Sequence, residues 1–310
     1  MTSQGAPRWG PFRFVADLAK GITSLPKAPS LDSFVFGAVL LAAFLHAAWN
    51  VLVRMQTDRL VSLTTLQGFM GIMGIGLLFL FGLPKPESYG FALASAILHT
   101  GYNLFLVRAY RSADLSQVYP IARGAAPLLT MAGSLLFLSD GVHIGVVAAI
   151  LLLVAGLVMA GWQKDRSSHP DPQAVLYALG TACFIAVYSM TDGLGARASG
   201  DAFGYAGLLF VLDAVFLLAA GTIMRGAGFV PSLFPFWKQG IIGGTASGLA
   251  YAIVMWAMTK APIASVAALR ETSIVFVLFM SARMLRESLT GIRVVGALFI
   301  TAGAVLLRLA

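Results

Sequence analysis

Apolar segments of about 20 residues recur along the chain from Ser33 to Leu309, each bounded by charges or turn residues. As an α-helix, a segment of that length crosses a hydrocarbon core of about 30 Å. Of the 310 residues, 58% are hydrophobic and only 11% are charged, against roughly 25% charged residues in an ordinary soluble domain. The sequence therefore predicts an all-α membrane protein with many spans.

Breaks at turn residues and charges divide the apolar sequence into ten predicted transmembrane helices, called spans 1 to 10. In chain order they cover residues 33–54, 60–82, 90–109, 115–138, 142–162, 174–194, 203–224, 239–259, 263–284 and 290–309. The connection 163–173 carries charges and two prolines. The predicted organisation is a polar N-terminal tail (1–32), a first five-helix repeat (33–162), a linker (163–173) and a second five-helix repeat (174–310).

The N-terminal tail contains one amphipathic stretch, "PFRFVADLAKGI", at 11–22. Phe12, Val15, Ala16 and Ala19 fall on one face at helical spacing. This pattern is typical of a helix that lies in the membrane interface. A disordered tail is the alternative for this segment.

Composition also excludes several classes of function. The single cysteine, Cys183, lies inside a span without a partner, so neither a disulfide framework nor a cysteine-ligated metal site is predicted. The net charge of +8 comes mostly from basic residues at span ends, which indicates membrane-surface anchors and not a nucleic-acid surface. Because the chain lacks a G-x-x-x-x-G-K-[ST] loop, an ATP-driven pump is disfavoured.

The two halves repeat each other. Residues 113–141, "ADLSQVYPIARGAAPLLTMAGSLLFLSDG", align without gaps with residues 261–289, "APIASVAALRETSIVFVLFMSARMLRESL", at an offset of 148. Five spans is an odd number, so the second copy enters the membrane from the opposite side. Such inverted repeats are typical of transporters, whose substrate site lies near the midplane where the repeats meet.

Four motifs in this order resemble the ten-helix EamA-like type of the drug/metabolite transporter superfamily. They are "AAWN" in span 1, "VYPIARGAAPLLT" in span 4, "APIASVAALRETSIVF" in span 9 and "RESLTGIRVVGALFITAGAVLL" at the end of the chain. The resemblance covers about 33–309. It implies that spans 1, 3, 4, 6, 8 and 9 surround a central cavity, that spans 2 and 7 flank it, and that spans 5 and 10 are peripheral.

Spans 1 and 3 carry the same pattern, His-x-x-aromatic-Asn, which places three polar side chains on one helix face. We call these sets the first stripe, His46, Trp49 and Asn50, and the second stripe, His99, Tyr102 and Asn103. Unpartnered polar groups in hydrocarbon cost several kcal/mol, which leaves two interpretations. Either the side chains bond one another as packing contacts between helices, or they line a wet cavity and bind a solute. Interhelical hydrogen bonds contribute only about 1–2 kcal/mol or less in membranes, which favours the cavity.

Three charged residues fall near the middle of predicted spans. Arg123 lies roughly 12 Å into span 4 at about 1.5 Å per residue, at the depth of the two stripes, while Arg270 and Glu271 lie in span 9. The offset of 148 pairs Arg123 with Glu271, so the two should face each other across the cavity. Pro120 and Pro127 predict an interrupted helix beside Arg123, a feature of transport sites.

A charge at the bilayer centre costs at least about 2.5–3.5 kcal/mol, so each of these residues needs a partner or a purpose. One interpretation is a structural salt bridge between Glu271 and Arg123 or Arg270. The other is that an arginine binds an anionic substrate group through paired hydrogen bonds, while Glu271 accepts the coupling proton. The two can be successive states of one cycle.

Four aromatic residues complete the predicted substrate site: Tyr119, Tyr188, Tyr251 and Trp256. For Tyr251 and Trp256, plain packing is the alternative. Two acidic residues are expected outside the site. Asp192 should lie near a membrane surface in contact with water, and Asp213 of span 7 should cap a hydrogen-bond network away from the cavity.

The function that these residues favour is a secondary transporter that moves a small metabolite by alternating access, coupled to protons. The solute would be amino-acid-like or another small organic molecule, with anions among the candidates. No catalytic motif such as G-x-S-x-G or H-E-x-x-H is present, and Glu271 lies in a different repeat from the histidines, so no enzyme, cofactor or metal site is predicted.

Two alternatives stay open: a lipid-carrier flippase of the same superfamily, and an intramembrane lipid-modifying enzyme that uses the histidines as bases. The expected partners are the small-molecule substrate, protons and the lipid bilayer, with no nucleic acid, and the sequence indicates no particular oligomeric state. The expected location is a bacterial inner membrane. The basic residues of the N-terminal tail and the resemblance favour cytoplasmic termini.

Overall fold

The computed structural model describes residues 31–54, 58–112, 115–138, 144–161, 172–284 and 290–309. The predicted interfacial helix at 11–22 lies outside these residues. Of the predicted linker 163–173, only the last two residues are described, and they form the first turn of the following helix.

The described chain is built of helices that follow the predicted spans. They are α1 (Ser33–Arg54), α2 (Arg59–Phe81), α3 (Tyr89–Ser112), α4 (Leu115–Phe137), α5 (Ile144–Ala160), α6 (Pro172–Ala198), α7 (Ala202–Arg225), α8 (Trp237–Met258), α9 (Ile263–Arg270), α10 (Ser273–Met284) and α11 (Gly291–Leu309). Among the described residues, eight helical segments are long and apolar enough to cross a membrane, and the apolar parts of α4 and α5 are shorter. The predicted all-α membrane fold is confirmed.

Span 9 is not the single helix that the sequence predicted, because it breaks between α9 and α10. The Glu271 amide donates to the Ala268 carbonyl and the Thr272 amide to the Leu269 carbonyl, both three residues back. The Thr272 hydroxyl adds a 2.7 Å bond to the Leu269 carbonyl. This tight turn replaces regular α-helical bonding, and it places Glu271 at a break in mid-span.

Span 4 differs from the prediction in the opposite sense. The interruption expected at Pro120 and Pro127 is absent from the described backbone, since α4 is continuous from Leu115 to Phe137. A proline removes one backbone hydrogen bond, and neighbouring helices hold the rest of a transmembrane helix in place. The broken helix, span 9, therefore lies in the second repeat, whereas Arg123 lies on the continuous helix α4 of the first repeat.

The helices pack in pairs that relate the two halves. Helix α2 packs on α7, α5 on α11, and α4 on α9, each of which joins a span to the one five places later. The pairing of α1 with α8 matches that of α6 with α3, and the pairing of α4 with α6 matches that of α9 and α10 with α1. A two-fold axis that exchanges span n with span n+5 produces this set of pairs.

Glycines form the two crossings on this axis. A Cβ atom on Gly74 of α2 would lie 2.6 Å from the carbonyl oxygen of Gly207 of α7, and one on Gly207 would lie 2.8 Å from that of Gly74. Gly156 of α5 and Gly296 of α11 show the same reciprocal approach, at 2.6 and 2.8 Å. Small residues let transmembrane backbones approach closely. Any side chain at these positions would push the helices apart.

The two ends of the bundle have different closing contacts. Where α2 begins and α7 ends, Arg225 donates two hydrogen bonds to the Asp58 carboxylate. These bonds hold the pKa of the Asp58 carboxyl below its usual value. At the opposite end, where α6 ends and α7 begins, the Lys85 amide donates to the Ser199 carbonyl at 2.9 Å. We call the first the Asp58 end. We call the second the Arg197 end, because Arg197 lies in the last turn of α6.

Candidate functional site

A cavity of about 150 Å³ opens between the two halves. Residues from α1, α2, α3, α4, α6, α7, α8 and α9 line it. Gln67 of α2 and Asp213 of α7 are among them, so the expectation that spans 2 and 7 only flank the cavity is wrong. No described residue of α5 or α11 lines it, in line with a peripheral position for that pair.

Most of the sequence-predicted substrate residues lie on the wall of this cavity. They are His46, Trp49, Asn50, His99, Tyr102, Asn103, Arg123, Tyr188, Tyr251 and Arg270. Glu271 adjoins the wall through its contact with Arg123. Trp256 does not line the cavity; its ring packs edge-on against Phe34 at 5.7 Å. The side chain of Tyr119 lies outside the described part of the chain.

The basic cluster of the cavity consists of Arg123, Arg270, Glu271 and His46. One guanidinium nitrogen of Arg123, Nη1, lies 3.1 and 3.0 Å from the two carboxylate oxygens of Glu271. This is the contact that the offset of 148 predicted. The Glu271 side chain is 2% exposed and that of Arg123 is 9% exposed, so the ion pair is withdrawn from water. It joins α4 to the break in span 9.

His46 holds the other side of Arg123. The Nη2 atom of Arg123 lies 3.0 Å from Nε2 of His46. Because a guanidinium can only donate hydrogen bonds, Nε2 must accept this one. His46 is therefore neutral in this arrangement, with its proton on Nδ1. The histidine of the first stripe positions Arg123 against α1.

Arg270 is the less completely paired of the two arginines. Its Nη2 atom lies 3.9 Å from the nearer Glu271 oxygen, and its guanidinium carbon lies 5.9 Å from the centre of the Tyr251 ring. Its Nε donor is buried without a hydrogen-bond partner. Two arginines thus share one carboxylate, which leaves this cluster with an excess of one positive charge.

A second polar cluster surrounds His99. Its Nδ1 lies 2.8 Å from a carboxylate oxygen of Asp213, and its Nε2 lies 3.5 Å from one of Asp192. The Tyr251 hydroxyl donates to Asp192, and the Tyr205 hydroxyl donates to it at 3.2 Å. We call His99, Asp192 and Asp213 the acidic cluster.

Both aspartates contradict their sequence-based placement. Asp192 has no exposed surface, whereas the sequence predicted contact with water. Span 6 extends beyond its predicted end, as far as Ala198, and this carries Asp192 away from the surface. Asp213 faces the cavity because α7 packs against α3. Its position inside the apolar run "LLFVLDAVFLL" indicated a buried charge, but the sequence did not identify its partner.

The two asparagines of the stripes differ in their contacts. Asn50 donates from its side-chain nitrogen to the His46 carbonyl in the same helix at 2.8 Å. This bond does not join α1 to α3. The Trp49 ring packs edge-on to His46 at 5.1 Å, with its Nε1 donor buried and unpartnered. Asn103 of α3 lines the cavity and is 4% exposed. A cavity with buried unsatisfied donors is suited to binding a solute with acceptor atoms.

Comparison with known proteins supports both the family and the fold. Residues 172–309 match the model of the EamA-like transporter family. Among 29 matching chains of solved structures, one described as "Crystal structure of protein" aligns with a TM-score of 0.70 and 17% identity, over 89% of this chain and 97% of its own length. At that identity the likeness concerns the fold alone. No curated protein matches the sequence.

Proposed function

We propose that this chain, of which residues 172–309 match the EamA-like transporter family, is a proton-coupled secondary transporter of a small organic anion. As a multi-pass membrane transporter of the drug/metabolite superfamily it needs a substrate site near the midplane. The cavity at the interface of the two halves is the candidate. The observation that carries the proposal is the pair of buried arginines with one carboxylate between them.

An anionic substrate group fits this charge excess. Arg270 keeps one buried donor without a partner, and Arg123 presents a planar fork that suits a carboxylate or phosphonate. An entering anion would bond to both guanidinium groups and weaken the bond between Arg123 and Glu271. Glu271, left without its arginine in a site that excludes water, would then take up a proton. Substrate and proton would therefore enter together.

The contacts at the two bundle ends support access from one side at a time. The cavity wall includes Arg59, the first residue of α2, so the cavity extends toward the Asp58 end. At the other end, Arg197 donates to the carbonyls of Met258 at 2.8 Å and Ala261 at 3.0 Å. These bonds tie the end of α6 to the loop before α9. Alternating access requires them to break.

Replacing Arg197 with Gln should open the Arg197 end. Hydrogen bonds from a charged group contribute about 1.5–3 kcal/mol each, and a shift of 1–2 kcal/mol changes a two-state ratio about 5- to 30-fold. We expect a cysteine at Ser265, buried at the start of α9, to react at least about fivefold faster with a membrane-impermeant maleimide. The parent protein would carry Ser265→Cys and Cys183→Ser. Arg225→Gln, at the Asp58 end, is the control and should not raise the rate. Unchanged labelling in Arg197→Gln would contradict one-sided closure by this residue.

The transport proposal itself is tested with purified protein in liposomes. An imposed pH gradient should drive accumulation of at least one member of a radiolabelled panel of small carboxylates, amino acids and phosphonates. Collapse of the gradient with a protonophore should release it. Lipid scrambling without solute uptake would favour the flippase alternative, and product formation from lipids in the absence of any gradient would favour the enzyme.

We place the protein in a bacterial inner membrane with cytoplasmic termini. Ser33 begins α1, and Arg308 lies near the end of α11. The Arg308 side chain donates a 2.7 Å hydrogen bond to the Ser33 hydroxyl, so the start of α1 and the end of α11 lie at the same end of the bundle. On this orientation the Arg197 end faces the cytoplasm and the cavity opens outward.

A further inference from the structure

We propose that the acidic cluster of His99, Asp192 and Asp213 is a buried proton-binding site that holds one resident proton in the empty transporter. His99 of α3 and Asp213 of α7 line the same cavity as the arginines, and the buried Asp192 of α6 contacts His99. The proposed coupling through Glu271 does not use it. The proton site itself does not depend on the transport proposal, whereas its consequence for coupling does.

The two ring nitrogens of His99 provide the first argument. Each faces a carboxylate, Nδ1 toward Asp213 at 2.8 Å and Nε2 toward Asp192 at 3.5 Å. A neutral imidazole can donate from only one nitrogen, so the second carboxylate would meet a lone pair. Tyrosine hydroxyls also donate to Asp192, but its contact with Nε2 of His99 is favourable only when the ring carries both protons or one carboxyl is protonated. In either case the three groups share one proton beyond the one that a neutral imidazole carries.

An unpartnered acceptor provides the second argument. Oδ1 of Asp213 is buried without a hydrogen bond of its own, although the Gln67 side chain approaches the same carboxylate. A carboxylate oxygen in that position is costly unless a proton or a donor reaches it. The part of the chain that the structure describes contains no group of His, Cys, Asp and Glu arranged to hold a metal ion. A proton is therefore the ligand that this geometry favours.

The surroundings of His99 contain few other charges. Tyrosines of α6 and α8 pack against its ring, and the tyrosine of α7 reaches Asp192 instead. Gln67 lines the cavity from α2, and Arg270 approaches from α9. The titratable and charged neighbours are Tyr188, Asp192, Tyr205, Asp213, Tyr251 and Arg270. Tyr251 connects the two clusters, because its hydroxyl donates to Asp192 while its ring lies beneath the Arg270 guanidinium.

The charges of the two clusters cancel only with the resident proton in place. Arg123, Arg270 and Glu271 sum to one positive charge. Two aspartates and His99 that share one added proton sum to one negative charge. Neutrality of a site within the membrane lowers its burial cost. If the proposed anion enters while Glu271 is still ionised, it cancels the arginine excess, and the acidic cluster then favours a second proton from the cavity water. Once Glu271 takes up the coupling proton, the charges of the two clusters balance again.

Histidine-selective ¹⁵N labelling of the full chain in nanodiscs tests the site without any substrate. The sequence has 4 histidines, and His99→Gln assigns the signal. We expect a doubly protonated ring near neutral pH, or an infrared band of a protonated carboxyl that Asp192→Asn or Asp213→Asn removes. A neutral ring together with fully ionised carboxyls, across the pH range in which the wild-type protein stays folded, would overturn the proposal.

Single substitutions should change the proton affinity of the acidic cluster by different amounts. Asp213→Asn should lower the proton affinity of the ring at least about tenfold, as expected when an opposite charge in contact is lost, and Asp192→Asn should do so less because its oxygen is farther away. Asp58→Asn, a carboxylate at the bundle end, should change nothing. Arg270→Gln imitates anion binding by removing one positive charge, so it should increase protonation of the acidic cluster. Lack of any response to Arg270→Gln would disprove the link between the clusters, even if transport were shown.

Discussion

Glu271→Gln is expected to abolish pH-driven accumulation while leaving exchange of labelled for unlabelled substrate at equal pH intact. The variant keeps the size of the side chain and one oxygen that can accept from Arg123, but it cannot ionise. The basic cluster then carries an excess of two positive charges whether or not a proton is available. An anion can enter without a proton, and a pH gradient no longer drives it.

The size of this effect follows from the coupling. One proton per anion allows up to about tenfold accumulation for each unit of pH difference, since a unit corresponds to about 1.4 kcal/mol. Uptake by Glu271→Gln vesicles should reach only the level of equilibration. Glu87→Gln is the matched control, because Glu87 is exposed in the turn before α3. Uphill uptake by Glu271→Gln at the wild-type level would remove Glu271 from proton coupling.

Much of the architecture could be predicted because the signals for it are local. Apolar runs define the spans, and the offset between the halves is visible as aligned letters. That offset also predicted the contact between Arg123 and Glu271, which the structure contains. A long-range contact became predictable here because two-fold symmetry relates the two positions.

The second cluster could not be predicted in the same way. His99, Asp192 and Asp213 come from α3, α6 and α7 and have no equivalents of one another across the repeat. Each looks like an isolated polar residue in an apolar sequence. Only the packing of α3 against α6 and α7 brings them within hydrogen-bonding distance, and that packing depends on the whole bundle.

The broken helix was assigned to the wrong repeat for a related reason. Prolines are visible in the sequence of span 4, whereas the break in span 9 is formed by Glu271 and Thr272, which have no strong turn preference together. The Thr272 hydroxyl bonds to a carbonyl three residues back and so competes with the helical ladder. Ionic contact of Glu271 with α4 holds the turn in place. Such a break depends on a tertiary contact.

The contact between Arg123 and Glu271 should appear as a large coupling in a double-mutant cycle of stability. Arg123→Ala or Glu271→Ala alone leaves a buried charge without its partner, which costs about 3–5 kcal/mol. The double variant removes both charges and should be more stable than either single variant. Thermal unfolding in detergent, followed by tryptophan fluorescence, measures the four proteins of the cycle under one condition.

The chain provides its own control for this cycle. Arg225 and Asp58 form the same kind of pair with two hydrogen bonds, but their side chains are 31% and 40% exposed. Exposed pairs contribute about 0.2–1 kcal/mol, so the control cycle should show a small coupling. Stability losses that add in the Arg123 and Glu271 cycle would show that the two residues do not interact in the membrane.

Arg123→Lys then separates a structural pair from a substrate anchor. Lysine keeps the charge, so the attraction to Glu271 and much of the stability should persist, but it lacks the planar fork that binds two oxygens at once. Hydrogen bonds to charged groups contribute about 1.5–3 kcal/mol, so anionic substrates should bind roughly 10- to 100-fold more weakly, while uncharged analogues bind as before. Equal affinity of wild type and Arg123→Lys for anions would leave Arg123 with only its structural role, because a residue that anchors the substrate cannot lose half of its donor geometry without an effect on binding.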